Sequence, residues 1–185
     1  MSEKEILLES QIREIYGRVV YTHKTHEKCA DVLKERNDCL KITEILLSAF
    51  TTTSILVVIF DEGFVFQVLA ALFSTLLLCL TLYFKDNNLL ALAERHKQAA
   101  LDILEIREKL LSLLVDIRIG NKNLDEFQLE RNKINERLVN TYRGAPKTIN
   151  KAYKVASIAL QKNEEFTISD VEIDKFLPET LKKKN

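Results

Sequence analysis

The chain has 185 residues, of which 46% are apolar and 29% charged, and its 27 basic and 27 acidic residues balance. This balance argues against binding of nucleic acid through bulk positive charge, because such proteins carry a concentrated excess of Lys and Arg. Three scattered cysteines without a CxxC pair do not indicate a disulfide framework. Four Gly and two Pro are few enough to favour long helices with few turns.

The first predicted helix covers residues 2–41 and carries apolar or semi-apolar side chains at near-heptad spacing. The series consists of Leu8, Ile12, Ile15, Val19, Thr22, His26, Cys29, Leu33 and Leu40. A 3.5-residue period is typical of helices that pack along a seam, so we expect this arm to pack against another helix. Gly17 interrupts the arm and indicates either a bend or a close backbone approach.

Two uncharged segments follow, residues 45–60 and residues 63–84. At 1.5 Å per residue the first spans ~24 Å, slightly short of a hydrocarbon core of ~30 Å, whereas the second is long enough to cross with some tilt. The link between them is so short that the two segments must form antiparallel neighbours. The sequence therefore predicts a transmembrane hairpin.

The orientation of this hairpin follows from the basic residues near the membrane. Those before it are Lys24, Lys28, Lys34, Arg36 and Lys41, and those after it are Lys85, Arg95 and Lys97. The link contains none. Both arms are therefore predicted to lie in the cytoplasm.

After the hairpin, periodicity and stop signals predict three helices, over residues 89–119, 125–143 and 148–162. Gly120 ends the first, and Gly144 with Pro146 ends the second. Ser169 and Glu172 match a capping box that opens a short last helix. The predicted organisation is an N-terminal arm (1–41), the hairpin (42–85), a cytoplasmic helical region (86–163), and a short helix with a basic tail (164–185).

Small, hydroxylated or otherwise permissive side chains recur at helical spacing in both membrane segments. This stripe consists of Ser48, Thr51, Thr52 and Ile55 in the first segment and Gln67, Ala71, Ser74, Leu78 and Thr81 in the second. Two helices cannot enclose an aqueous path alone, but in an oligomer such a stripe can line a pore. The same residue types let membrane helices pack closely, and both interpretations stay open.

Three carboxylates lie at the ends of the two membrane segments. Glu44 is expected near the cytoplasmic interface, and Asp61 and Glu62 lie in the link. In an oligomer they would form acidic rings at the pore mouths and favour cations. The alternative is an interfacial carboxylate and a solvated turn.

A group of side chains in the first arm offers contacts to a ligand or partner. It consists of Arg18, Tyr21, His23, Lys24 and Lys28. Arg18, Lys24 and Lys28, with Tyr21 close by, could grip the phosphates of a nucleotide messenger. A solvated helix face paired with Glu14, Glu27 and Asp31 explains these residues as well and is the interpretation we favour. Histidines and a cysteine spaced by three turn away from one another on a helix, so no metal site is predicted.

Residues 16–28, YGRVVYTHKTHEK, precede the two-helix hairpin and the long helical C-terminal arm. This combination resembles the SLATT family, the SMODS- and SLOG-associating two-transmembrane effector domains of bacteria. The resemblance implies a defence system in which a sensor or nucleotide-producing partner detects phage infection. The two-helix protein then disrupts the inner membrane and halts growth of the infected cell.

The sequence thus predicts an all-α membrane protein that forms homo-oligomers, with a two-helix hairpin and long cytoplasmic helical arms. No P-loop, GxGxxG or Ser/His/Asp arrangement occurs in it, so neither an enzyme nor a cofactor is predicted. A membrane-anchored scaffold, whose arms recruit partners while the hairpin only anchors them, is the alternative function.

Overall fold

The computed structural model describes residues 2–60, 63–167 and 169–176, and all regular elements within these ranges are α-helices. They are α1 (Glu3–Phe60), α2 (Phe64–Asp86), α3 (Leu89–Ile119), α4 (Leu124–Gly144), α5 (Asn150–Gln161) and α6 (Asp170–Asp174). The predicted all-α class is confirmed. The chain divides into two compact units, an arm unit drawn from Met1–Lys28 and Ala99–Asn185, and a hairpin unit, Cys29–Gln98.

The N-terminal arm and the first apolar segment form one helix of 58 residues. No Gly or Pro occurs between Gly17 and Phe60, so nothing interrupts backbone hydrogen bonding where the composition changes from charged to apolar. The close backbone approach considered at Gly17 is wrong, because a Cβ added there would meet nothing within 4 Å.

The helix ends follow local sequence signals. Gly120 adopts a φ of 73° and its N–H donates to the Asp116 carbonyl, at 2.9 Å, which is how a glycine after the last turn ends a helix. Asn123 and Glu126 form a reciprocal capping box that begins α4, one feature that the sequence reading missed. At α6 the Ser169 hydroxyl accepts from the Glu172 N–H, at 3.3 Å, which is the serine half of the predicted capping box.

The core of the arm unit forms where α1 meets α3 and α4. It consists of Leu8, Ile12, Ile15 and Val19 of α1, Ile103, Ile106, Leu110, Leu113 and Ile117 of α3, and Phe127 and Leu138 of α4. The predicted seam of α1 is therefore confirmed in this unit. Leu111 lies outside this core, because it follows Leu110 by about 100° around the helix, and it is 43% exposed.

In the hairpin unit, the end of α1 runs antiparallel to α2. The rings of Phe50 and Phe73 lie 5.6 Å apart, and the Arg36 guanidinium lies 5.9 Å from the Tyr83 ring. Later residues of α1 thus contact earlier residues of α2, as predicted for a hairpin with a short link.

Both helices of this hairpin are long and apolar enough to cross a membrane. Only 6% of the most apolar 18-residue window of α1, and none of that of α2, is buried inside the protein. A core helix of a soluble protein would bury such a surface, and apolar surfaces of this extent rarely face water. The hairpin therefore associates with a membrane.

Candidate functional site

The predicted polar stripe of the hairpin faces outward from the protomer. Of its nine residues Thr51 is half-buried and the other eight are exposed. The hydroxyls of Thr51, Thr52 and Thr81 donate to the carbonyls four residues earlier, at 2.8, 3.0 and 2.9 Å, a common arrangement in membrane helices. Apart from half-buried Thr51, the stripe is therefore not used to pack α1 against α2.

Ser54 takes that packing position instead, and sequence reasoning missed it. Its side chain is only 7% exposed, in line with half-buried Thr51 and Val58 on the face of α1 towards α2. A small side chain lets two membrane helices approach closely. The signal that could have found it is its spacing of three and four from these two neighbours.

Of the predicted pore-mouth carboxylates, Glu44 is half-buried in α1. Asp61 and Glu62 lie outside the described residues. An ionisable side chain at a membrane boundary is compatible with an interfacial position.

In the arm unit, His23 and Lys24 are buried rather than solvated. The Lys24 ammonium donates to Glu27 Oε2 at 2.9 Å and lies 2.6 Å from Glu165 Oε2, with 9% of the side chain exposed. The favoured interpretation of a solvated face is therefore wrong for Lys24. The pairing of Lys24 with Glu27 was predicted correctly. Lys24 is buried because residues more than 130 positions later in the chain, Glu165 among them, cover it.

The cover is a short segment after α5, residues 163–167, which we name the strap. The Phe166 ring stacks on the His23 imidazole, with centroids 5.4 Å apart and planes inclined by 20°. The Lys24 ammonium and the Arg107 guanidinium each lie 4.7 Å from the centre of the same ring. Cations over an aromatic face contribute about 0.5–2 kcal/mol each, more as they are desolvated.

The carboxylate of the strap lies beside Lys24 and a second lysine of α1, Lys28. Glu165 Oε2 contacts Lys24 and is 3.9 Å from the Lys28 ammonium. His23, Lys24, Lys28 and Arg107 together form what we call the strap site. Arg107, Glu165 and Phe166 were not predicted, because nothing in their local sequence indicates a partner on α1.

Burial and charge set the ionisation of this site. Burial disfavours the charged form of Lys24, yet the hydrogen bonds to Glu165 and Glu27 outweigh it and raise the pKa of Lys24 above its ordinary value. The hydrogen bond from Lys24 in turn lowers the pKa of the Glu165 carboxyl. The contact is thus a charged pair at neutral pH.

The His23 imidazole remains neutral at neutral pH. Burial lowers its pKa below 6.5, and the cations of Arg107 and Lys24 act in the same direction, while the Glu27 carboxylate opposes them. Within the described ranges its Nδ1 atom has no hydrogen-bond partner. Across the same ranges, no three His, Cys, Asp or Glu side chains are grouped so that they could hold a metal ion.

The remaining two predicted contacts, Arg18 and Tyr21, lie at a different place. They line a groove of about 660 Å³ whose other walls include Tyr142 of α4 and Tyr153 of α5. Arg18 is exposed and pairs with Glu14 at 3.1 Å, as the solvated-face interpretation predicted. The five predicted contacts therefore fall into two groups, three in the strap site and two in the groove.

A family model described as "SMODS and SLOG-associating 2TM effector domain family 4" matches residues 8–172 of the chain. Comparison with curated proteins and with solved structures found no match. The matched range contains both apolar segments, the strap and all residues of the strap site.

Proposed function

The chain belongs to the SMODS and SLOG-associating two-transmembrane effector domain family, and we propose that it is an inner-membrane effector of a bacterial anti-phage defence system. In this proposal the protein oligomerises and permeabilises the membrane when the system is activated. Growth arrest or death of the infected cell follows from the loss of the ion gradients.

The observation that carries the proposal is the outward-facing polar stripe of the hairpin. Gln67 and Ser74 are exposed, as are Thr75 and Thr81, among the mostly apolar side chains of the α2 surface. Polar side chains facing lipid are costly unless another helix or water meets them. A ring of protomers with these side chains towards its axis satisfies them and encloses an aqueous path.

The topology proposed for this effector places both termini in the cytoplasm. The basic residues flank the hairpin on its open side and are missing from its link, which supports this orientation. The arm unit is then available to a cytoplasmic activator, a sensor protein or a nucleotide messenger of the same system.

The test is release of a trapped dye from lipid vesicles that contain the purified full-length protein at rising density, which should drive assembly without the activating partner. We expect release that grows more steeply than linearly with protein density, because several protomers must meet. In the matched control, residues 45–84 are replaced by an unrelated two-helix hairpin of equal length. Dye release should disappear in this control. In cells, production of the wild-type chain should arrest growth, whereas production of the control should not.

An arrest that survives the replacement would contradict the proposal. It would favour the scaffold alternative, in which the arms act and the hairpin only anchors. The seam between α1 and α3 would then be the functional part of the molecule.

A further inference from the structure

The strap site holds a piece of the chain's own sequence in the way that a binding site holds a peptide. We infer that it is a docking site for a peptide segment in which an acidic residue precedes an aromatic one. Glu165 and Phe166 occupy it in the resting protein, and a partner protein presenting the same pair displaces them. This inference rests on the proposed function, since it names how that effector is switched.

The chemistry of the occupant defines the chemistry of the partner. One carboxylate lies near two ammonium groups, at 2.6 Å from Lys24 and 3.9 Å from Lys28. One ring lies against an imidazole and two cations. A carboxylate beside lysines and an aromatic face beside cations are both favourable pairings, and they occur here on adjacent residues.

The resident segment leaves part of the site unused. His23 is 4% exposed, and its Nδ1 atom has no partner in the part of the chain that the structure describes. A buried polar atom without a partner carries an energetic cost that a better ligand can remove. An incoming segment with a polar group at this position would therefore bind more tightly than the strap does.

The strap is also built to be displaced. Its backbone N–H groups bond locally: that of Glu165 donates to the Ala159 carbonyl at 3.2 Å and that of Thr167 to the Glu164 carbonyl at 2.8 Å. Glu164 adopts a φ of 51°, a left-handed conformation that is costly for a residue with a side chain. The contacts of the strap with α1 and α3 described above are made by the side chains of Glu165 and Phe166, and release breaks these contacts while the local backbone bonds can remain.

Displacement of the strap can affect the hairpin because both involve the same helix, α1. His23, Lys24 and Lys28 belong to α1, and the same continuous helix includes the first apolar span. A change in what covers these residues therefore acts on the helix that enters the membrane. In this inference, release of the strap activates the effector.

The binding test uses the full-length protein and a fluorescent peptide that copies residues 161–167. The variant Phe166→Ala opens the site, and Phe176→Ala is the matched control, because Phe176 is 82% exposed. We expect saturable binding to Phe166→Ala, and at least tenfold weaker binding to the wild type and to Phe176→Ala. A peptide with alanine in place of its phenylalanine should not bind.

A second variant, Glu165→Lys, guards against misfolding of the first, since it places a cation opposite Lys24 and Lys28 and should release the strap without removing the ring. Failure of the peptide to bind either folded variant would overturn the inference. Binding of ATP, used as a probe, to these variants in place of the peptide would also overturn it and indicate a nucleotide site.

The functional test measures dye release from vesicles for the same proteins. We expect Phe166→Ala and Glu165→Lys to release dye several-fold faster than the wild type at equal density, and excess peptide to accelerate the wild type. Equal rates of dye release from the wild type and both variants would overturn the proposed switch. Peptide binding with no leakage by any protein would refute the proposed function but leave the docking site supported.

Discussion

The contribution of the Phe166 ring to the closed strap can be measured with the substitution Phe166→Leu. Leucine keeps an apolar side chain but lacks the negative aromatic face that attracts the cations of Lys24 and Arg107. Both cations lie 4.7 Å from the ring centre. Since the ring is half-buried, the substitution should weaken the closed strap by about 1–3 kcal/mol in total.

Hydrogen exchange of the strap amides is the assay for this change. The amides of Glu165 and Thr167 donate to the Ala159 and Glu164 carbonyls, and these local bonds should open more often once the side chains of Glu165 and Phe166 no longer hold the strap against α1 and α3. A loss of about 1–3 kcal/mol should accelerate their exchange roughly 5- to 150-fold. Core amides of α3 and α4 should exchange at the wild-type rate.

The matched control is Phe176→Leu, which changes an exposed ring outside the strap. It should leave the exchange of both amides unchanged. If Phe166→Leu also leaves it unchanged, the two cation contacts do not hold the strap and the reasoning is refuted.

Three further outcomes are expected. Burial lowers the pKa of His23 in the folded chain, so as the pH falls below about 6.5 the unfolded chain takes up a proton first and the arm unit should lose stability. Thermal unfolding measured between about pH 5 and 7.5 should show this fall in stability, and His23→Gln should make it smaller. Gly17→Ala should stabilise the arm unit by about 0.5–1 kcal/mol, measured by denaturant unfolding, since its Cβ meets nothing within 4 Å. Ser54→Leu should destabilise the hairpin by about 1–3 kcal/mol through overpacking, whereas Ser48→Leu, at an exposed position, should leave hairpin stability unchanged but reduce dye release. Equal effects of the two serine substitutions on both readouts would contradict the assignment of these faces.

The helices and the membrane hairpin were predictable because their signals are local. An uncharged run of 22 residues, a glycine after α3 and a near-heptad series in α1 each dictate structure through their immediate neighbours. The absence of Gly and Pro between Gly17 and Phe60 is compatible with one continuous α1. The change from charged to apolar composition instead led us to predict a boundary between the arm and the hairpin.

The strap site was not predictable because its two halves lie far apart in the chain. Periodicity places Lys24 beside Glu27 one turn later, and this pairing is present at 2.9 Å. Nothing in that pattern indicates that Glu165 and Phe166 return to cover the pair. Tertiary contact therefore converted an expected surface lysine into a buried one.

Ser54 shows a similar limit within the hairpin. The hydroxyl and small residues of α1 appear on more than one face, at Ser48, Thr51, Thr52 and Ser54. Spacing alone cannot tell which of these faces meets α2 and which remains for another protomer. The contact between Phe50 and Phe73 fixes the pairing face and assigns the remainder outward.

The central claim, that the hairpin permeabilises the membrane, is tested most directly by following the membrane potential of cells after induction of the chain. A voltage-sensitive dye and the growth rate are recorded together. The account predicts depolarisation that begins before growth stops. Growth arrest in cells that keep their membrane potential would contradict it.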